Sequence, residues 1–123
     1  MKCDVLYPGT SRTIKALLSG RGKVFYEEDL GSTVTDETIE RIDDMIQYLG
    51  DTPNPFVNLQ NVRKVNGYTN LYEAKPHDYR ILFSVLGGNF LVLSAFKKCP
   101  LKEQRRQFAT AHGRMQQYLR NPE

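Results

Sequence analysis

Tryptophan is absent from this sequence of 123 residues, and cysteine and histidine occur only twice each. Cys3 and Cys99 are too few for a disulfide framework, and with the two histidines they do not have the spacing of a metal-binding cluster. We therefore expect reduced thiols and no cofactor or metal. No run approaches the roughly 20 apolar residues that span a bilayer, and no signal peptide is visible. These absences predict a cytoplasmic protein without a membrane partner.

Several catalytic motifs are also missing. The sequence has no G-x-S-x-G motif and no glycine-rich phosphate-binding loop. Residues 62–123 hold eleven Lys/Arg and only four Asp/Glu, whereas residues 1–61 hold six Lys/Arg and ten Asp/Glu. Four carboxylates are few for a two-metal nuclease, and a basic half opposed to an acidic half favours a polyanionic partner for the second half.

The length and the order of patterns predict one domain over residues 1–123. In the first half we expect a strand at 3–7, a short helix at 11–18, a helical turn or two within 24–30, and a helix at 35–49. Thr35 suits the N-cap of that last helix, and Ile39, Ile42, Ile46 and Leu49 recur at helical spacing.

In the second half, strand-like runs at 71–75, 79–86 and 90–98 are separated by turn residues, and a short strand is expected at 62–65. A basic helix should follow from Pro100 to about residue 119. The resulting fold class is α+β: an N-terminal strand and helices, an antiparallel sheet of three to four further strands covered by helices on one side, and a C-terminal helix.

Charges within these strands are the main functional indication. If residues 87–88 form the hairpin loop, Arg80 lies opposite Ala95. If residues 88–89 form the loop, Arg80 lies opposite Lys97. Both registers place Arg80 and Lys97 on one face, where a bound anion would relieve their repulsion.

A cationic surface with few carboxylates suits metal-free cleavage of RNA, in which the neighbouring 2′-hydroxyl attacks the phosphate. Such an enzyme orients the phosphate, stabilises charge in the transition state and moves two protons. An arginine is the best phosphate clamp, and a lysine crowded by other cations can exchange protons. Glu73 could act as the base, although an ion pair between Glu73 and Arg80 is the simpler expectation.

Three motifs in order carry a family resemblance: Leu-Tyr-Glu-Ala-Lys at 71–75, Tyr-Arg-Ile-Leu-Phe at 79–83, and Phe-Lys-Lys at 96–98. This series resembles the strand motifs of HigB-like toxins of the RelE superfamily, which include phage-encoded members. The resemblance covers about residues 62–119. Lys75 replaces the arginine usual in the family, and residues 10–30 are longer and less regular than the family's N-terminal segment.

The resemblance implies a RelE-like α+β fold and the toxin of a type II toxin–antitoxin system, an mRNA interferase that cleaves mRNA on the translating ribosome. It also implies a cognate helix-turn-helix antitoxin as partner. By position, Arg80 matches the phosphate-binding arginine, and Lys97 and Lys98 match the terminal basic pair.

Two sets of site residues follow. The expected catalytic residues are Arg80, Lys97, Lys98, Lys75 and Glu73. The expected RNA-binding residues are Arg63, Lys64, His77, Arg105 and Arg106. Two alternatives stay open. The same fold could serve as a non-catalytic RNA- or protein-binding module, for example in a phage, or purely as a protein-interaction domain.

Overall fold

The computed structural model describes residues 1–122, and at residue 33 the backbone alone. Within these residues the chain forms six strands and three α-helices. In chain order they are β1 (Cys3–Pro8), β2 (Thr13–Leu17), α1 (Phe25–Leu30), α2 (Asp36–Asp51), β3 (Val62–Lys64), β4 (Tyr72–Ala74), β5 (Tyr79–Leu86), β6 (Asn89–Lys97) and α3 (Leu101–Arg120). None of the helices in this part of the chain is both long enough and apolar enough to cross a membrane.

The six strands form one mixed sheet in the order β1-β2-β6-β5-β4-β3. Strand β2 runs parallel to β6, and the other neighbours are antiparallel. The α+β class and the C-terminal helix predicted from the sequence are therefore confirmed. The sheet has more strands than predicted, because one predicted helix joins it.

The predicted helix at residues 11–18 is wrong, since residues 13–17 form β2. Ile14 pairs with Phe90 of β6, and Ala16 pairs with Val92. Ile14 and Ala16 are completely buried, and Leu17 is buried in a second apolar cluster. Apolar residues at 14, 16, 17 and 18 fit one face of a short helix as well as a buried strand, so pairing with a strand 76 positions away (Ile14 with Phe90) decides the structure.

Helices cover both faces of the sheet, which corrects the prediction that they lie on one side. Phe90 and Val92 of β6 pack in a cluster with Ile46 of α2, whereas Leu91 packs in a second cluster with Ala111 of α3. Neighbouring residues of a strand point to opposite faces. The first face is therefore covered by α2, and the second face by α3.

Helix α2 was predicted with its N-cap, and the structure confirms both. Thr35 Oγ1 accepts a hydrogen bond from the backbone N–H of Thr38 at 3.2 Å. Ile42 and Ile46 are buried as expected, but Ile39 is 48% exposed. The helix continues through Gly50 to Asp51 rather than ending at 49.

A close contact joins the end of α2 to the turn between β1 and β2. A Cβ added at Gly9 would overlap the carbonyl group of Gly50. The Arg12 guanidinium donates to carbonyls at the helix end, to Thr52 O at 2.8 Å and also to Leu49 O. Only glycine permits this approach of the two backbones.

A β-bulge in β6 sets the register of the β5–β6 hairpin. Gly87 and Gly88, both with positive φ, form the two-residue loop. Leu82 pairs with Ser94 but Phe83 pairs with Val92, so Leu93 is the extra residue. The bulge shifts every pair beyond it by one position.

An ion pair between α1 and α3 holds the bulged segment. Beyond Val92, β6 has no pairing with β2, and α1 lies beside it. Arg114 donates to the Leu93 carbonyl at 3.0 Å, and Asp29 accepts from the Ala95 N–H at 3.3 Å. Arg114 and Asp29 also bind each other through two contacts of 2.8 and 2.9 Å. The backbone groups that β2 does not reach are thus satisfied by side chains.

Candidate functional site

Arg80 and Lys97 lie on opposite faces of the sheet, which corrects the prediction that they share one. The bulge at Leu93 pairs Arg80 with Phe96, and it pairs Lys97 with Tyr79. Cross-strand partners share a face. Phe96 belongs to the cluster under α3, so Arg80 is on the α3 face and Lys97 is on the other.

The Arg80 guanidinium binds the chain reversal that precedes its own strand. Its Nη1 donates to the carbonyl oxygens of His77 at 2.9 Å and Tyr79 at 2.8 Å. His77 has φ of 61°, in the left-handed region that few non-glycine residues adopt. Arg80 therefore has a structural role in this turn, and the expected ion pair with Glu73 does not form.

The two lysines of the motif Phe-Lys-Lys have different surroundings. Lys97 is exposed and lines a pocket of about 360 Å³ together with Tyr79 and the carboxylates of Asp29 and Glu103. Lys98 is exposed, and its backbone N–H donates to the Asp78 carbonyl at 2.6 Å. Carboxylates beside Lys97 make that pocket a poor receptor for a phosphate.

Glu73 forms its ion pair with Arg63 instead of Arg80. The two residues pair directly across β3 and β4, and Arg63 Nε lies 3.1 Å from Glu73 Oε1. Glu73 is only 1% exposed, whereas the Arg63 side chain is 52% exposed. The second carboxylate oxygen, Oε2, is buried and has no hydrogen-bond partner in the described chain.

The geometry of this pair leaves the arginine fork available. Glu73 binds Nε, and no hydrogen bond from Nη1 or Nη2 of Arg63 occurs among residues 1–122. Two parallel N–H donors on a planar group match two oxygens of a phosphate. A buried carboxylate therefore orients an exposed guanidinium whose outer N–H groups have the geometry to bind a phosphate.

A pocket of about 700 Å³ opens beside this pair, between the β3–β4 segment and the first turns of α3. We call it the Glu73 pocket. Its lining combines cations, amides and aromatic rings: Arg63, Lys64, Val65, Asn66, Tyr68, Glu73, Leu101, Gln104, Arg105 and Phe108. Four of the residues expected from the sequence thus come together here, namely Arg63, Lys64, Glu73 and Arg105.

Lys75 is affected by the charges of the Glu73 pocket, but its side chain lines a different opening. Burial lowers the pKa of Lys75, and the charges of Arg63, Arg80 and Lys98 lower it further, although Glu73 acts in the opposite direction. Its side chain lines a shallow pocket of about 330 Å³ with His77 and residues of α2. Three of the four charges that act on Lys75 are thus cationic.

The remaining two predicted RNA-binding residues lie outside the Glu73 pocket. His77 is exposed in the turn before β5. Arg106 is exposed on α3 and forms an ion pair with Glu103, one turn away, at 3.1 Å.

Sequence reasoning missed six residues of the Glu73 pocket: Val65, Asn66, Tyr68, Leu101, Gln104 and Phe108. Asn66 lies in a turn and Phe108 packs against the second apolar cluster, so the local sequence gives neither residue a functional signal. The β3–β4 connection and α3 are far apart in sequence, so no local pattern could place Tyr68 beside Phe108, 6.5 Å between ring centroids.

No family model matches the chain, and a search of curated proteins gives no match. Among the residues that the structure describes, no three His, Cys, Asp or Glu side chains come together as a metal-binding group.

Proposed function

We propose that this chain is an endoribonuclease that cleaves mRNA at the ribosome, as the toxin of a toxin–antitoxin pair. The observation that carries the proposal is the Arg63–Glu73 pair in a pocket with Lys64, Arg105 and two aromatic rings. Cations next to flat aromatic surfaces suit single-stranded RNA, because phosphates and bases both find partners there.

The proposed reaction needs no activated water. A base takes the proton of a 2′-hydroxyl, the 2′-oxygen bonds to phosphorus, and the bond from phosphorus to the 5′-oxygen breaks. An acid protonates the departing 5′-oxygen. The products are a 2′,3′-cyclic phosphate and a free 5′-hydroxyl. Arg63 clamps the phosphate. Glu73 is the candidate base because its Oε2 accepts no hydrogen bond from residues 1–122.

Lys75, two residues from Glu73, is the candidate acid because its lowered pKa is closer to neutral pH, although its side chain lines a separate opening beside α2. Arg80 and Lys98 add positive potential on this side of the sheet and extend the surface for the RNA backbone. Lys97 takes no part in this site, because it lines a different pocket beside the carboxylates of Asp29 and Glu103.

The ribosome, the helix-turn-helix antitoxin and the RelE-like character of the fold rest on the motif resemblance alone, whereas the cytoplasmic location rests on the two cysteines expected to be reduced. The resemblance includes Glu73 and Arg80, whereas Arg63 lies outside the three motifs. The site proposed here is therefore centred closer to β3 than the motif series implies.

The proposal is tested by inducible expression, with growth and mRNA integrity as readouts. Wild-type chain should arrest growth and cleave mRNA, whereas Arg63→Ala and Glu73→Gln should each lower cleavage by about 100-fold or more. Lys23→Ala, which removes an exposed charge in the turn before α1, is the matched control. If Lys97→Ala abolished cleavage while Arg63→Ala did not, the site assignment would be wrong.

A second candidate function is a non-catalytic RNA-binding module. It is favoured by the separation of Lys97 from Arg80, which breaks up the expected cationic cluster. In that case purified protein should bind RNA with a steep salt dependence but leave it intact, with and without ribosomes.

A further inference from the structure

An open apolar groove of about 370 Å³ lies between α1 and α2, and we call it the α1–α2 groove. Five apolar side chains line it: Tyr26, Leu30, Val34, Ile39 and Ile42. Ile39 belongs to the apolar stripe of α2, yet it is 48% exposed, whereas Ile42, about one turn further along, is 2% exposed. The stripe of α2 thus extends beyond the core into the groove. Exposed apolar surface of this kind marks sites where another protein packs.

Two carboxylates border the groove, and no cation of the described chain lines it. Glu27 of α1 and Asp43 of α2 are both exposed. Burial, and then the charges of Glu27 and Asp43, raise the pKa of Tyr26 to about 12, so both carboxylates lie near the same tyrosine at the groove wall. Neither carboxylate forms an ion pair among the described side chains, whereas Glu28 of α1 is paired with Arg21. The rim of the groove is therefore negative.

We propose that the α1–α2 groove docks an amphipathic helix of a partner protein, one with leucine-sized side chains a turn apart and lysine or arginine beside them. The apolar side chains cover Ile39, and the cations lie next to Glu27 and Asp43. A helix whose apolar face lies in a hydrophobic groove is a common mode of recognition, and complementary charges at the rim select the partner. This docking does not depend on RNA cleavage, because the groove shares no lining residue with the Glu73 pocket.

A second copy of this chain fits the groove less well than such a partner. Its basic helix, α3, packs its apolar stripe against the sheet, and the large apolar residues that it exposes, Leu101 and Leu119, lie at opposite ends. Another exposed pair, Val57 and Leu59, belongs to residues 51–61, which contain no Lys or Arg. No exposed segment of the described chain therefore combines neighbouring large apolar side chains with positive charge.

Fluorescence anisotropy with the whole protein and three labelled peptides of equal length tests the proposal. One peptide has leucine on its apolar helix face and lysine on its polar face. The second keeps the leucines but has glutamine in place of lysine, and the third keeps the lysines but has serine in place of leucine. The leucine–lysine peptide should bind about 10-fold more tightly than either of the others, because it alone matches both the floor and the rim. Its binding should shift amide NMR signals within residues 26–43, which line the groove.

Two pairs of variants locate the binding. Ile39→Ser should weaken binding of the leucine–lysine peptide by about 10-fold, whereas Leu119→Ser, at a leucine that is 53% exposed, should leave it unchanged. Glu27→Gln combined with Asp43→Asn should weaken it by about 5-fold. Glu40→Gln, at an exposed carboxylate of α2 that does not line the groove, should change it by less than about 2-fold. Circular dichroism and thermal melting of each variant accompany the measurements.

Equal binding of the three peptides, no binding of the leucine–lysine peptide, or binding that survives Ile39→Ser would overturn the proposal. Sedimentation of the protein alone tests the other occupant. A dimer that Ile39→Ser converts to a monomer would place a second copy in the groove and would overturn the proposal as well. Growth arrest and mRNA cleavage are separate readouts, so failure of the docking proposal is distinguishable from failure of the proposed function.

Discussion

The ion pair between Arg114 and Asp29 should stabilise the fold far more than the other surface pairs of this chain. Both side chains are mostly buried, 17% and 19% exposed. Arg114 binds both carboxylate oxygens, donates to the Leu93 carbonyl, and lies over the Phe25 ring at 3.9 Å. Replacing Arg114 by methionine keeps the apolar stem but removes all these contacts.

The loss of stability in Arg114→Met can be estimated from the groups that lose Arg114 as a partner. The carbonyl of Leu93 and the Asp29 carboxylate lose a charged donor, which costs about 1.5–3 kcal/mol for such hydrogen bonds. The lost cation–π contact adds about 0.5–1 kcal/mol. Partial exposure lets water compensate in part, so we expect Arg114→Met to lower the free energy of unfolding by about 2–3 kcal/mol. At about 4 °C per kcal/mol the Tm should fall by roughly 10 °C.

Urea unfolding followed by circular dichroism measures this change, and Arg106→Met is the matched control. Arg106 also pairs with a carboxylate, Glu103, but the two side chains are 66% and 48% exposed. Exposed pairs contribute about 0–1 kcal/mol. The double variant with Asp29→Asn should cost less than the sum of the two single changes, because the groups are coupled. If Arg114→Met cost no more than Arg106→Met, the reasoning about the bulge would be refuted.

Three further predictions concern stability. Gly9→Ala should cost about 1–3 kcal/mol in urea unfolding, because its Cβ would overlap Gly50, whereas Gly20→Ala, with open space around it, should be near neutral. Burial raises the pKa of Tyr26 to about 12. The unfolded chain thus loses this proton first, so the Tyr26 contribution to stability should be complete below about pH 10 and be lost towards pH 12, and Tyr26→Phe should make the alkaline loss of stability less steep. Thr35→Ala removes the N-cap bond of α2 and should cost about 1 kcal/mol by the same assay; no change would contradict the cap.

Prediction from sequence succeeded where neighbouring residues decide the structure. Helices α2 and α3 repeat apolar residues at helical spacing, and Thr35 and Pro100 lie at their starts. Two adjacent glycines form the β5–β6 loop. Such signals act over a few residues and can be read without knowing the fold.

The candidate site was predicted only in part. The basic character of the second half and the residues Arg63, Lys64, Glu73 and Arg105 could be named from the sequence, but not their grouping. The partner of Glu73 was expected to be Arg80 and is Arg63, its direct neighbour across β3 and β4. The aromatic and amide residues of the pocket were not recognised, because α3 brings them to β3 only in the folded chain.

The sequence by itself determined the α+β class, the main helices, the strands of the second half and the charge of its surface. Only the tertiary structure decided that residues 13–17 form a strand and that Leu93 bulges. The first depends on β6, which supplies the backbone partners. The second is maintained by Arg114 of α3 and Asp29 of α1, which lie 85 positions apart in the sequence. One inserted residue in a strand reverses which face every later side chain occupies, so the positions of Arg80 and Lys97 depended on a long-range contact.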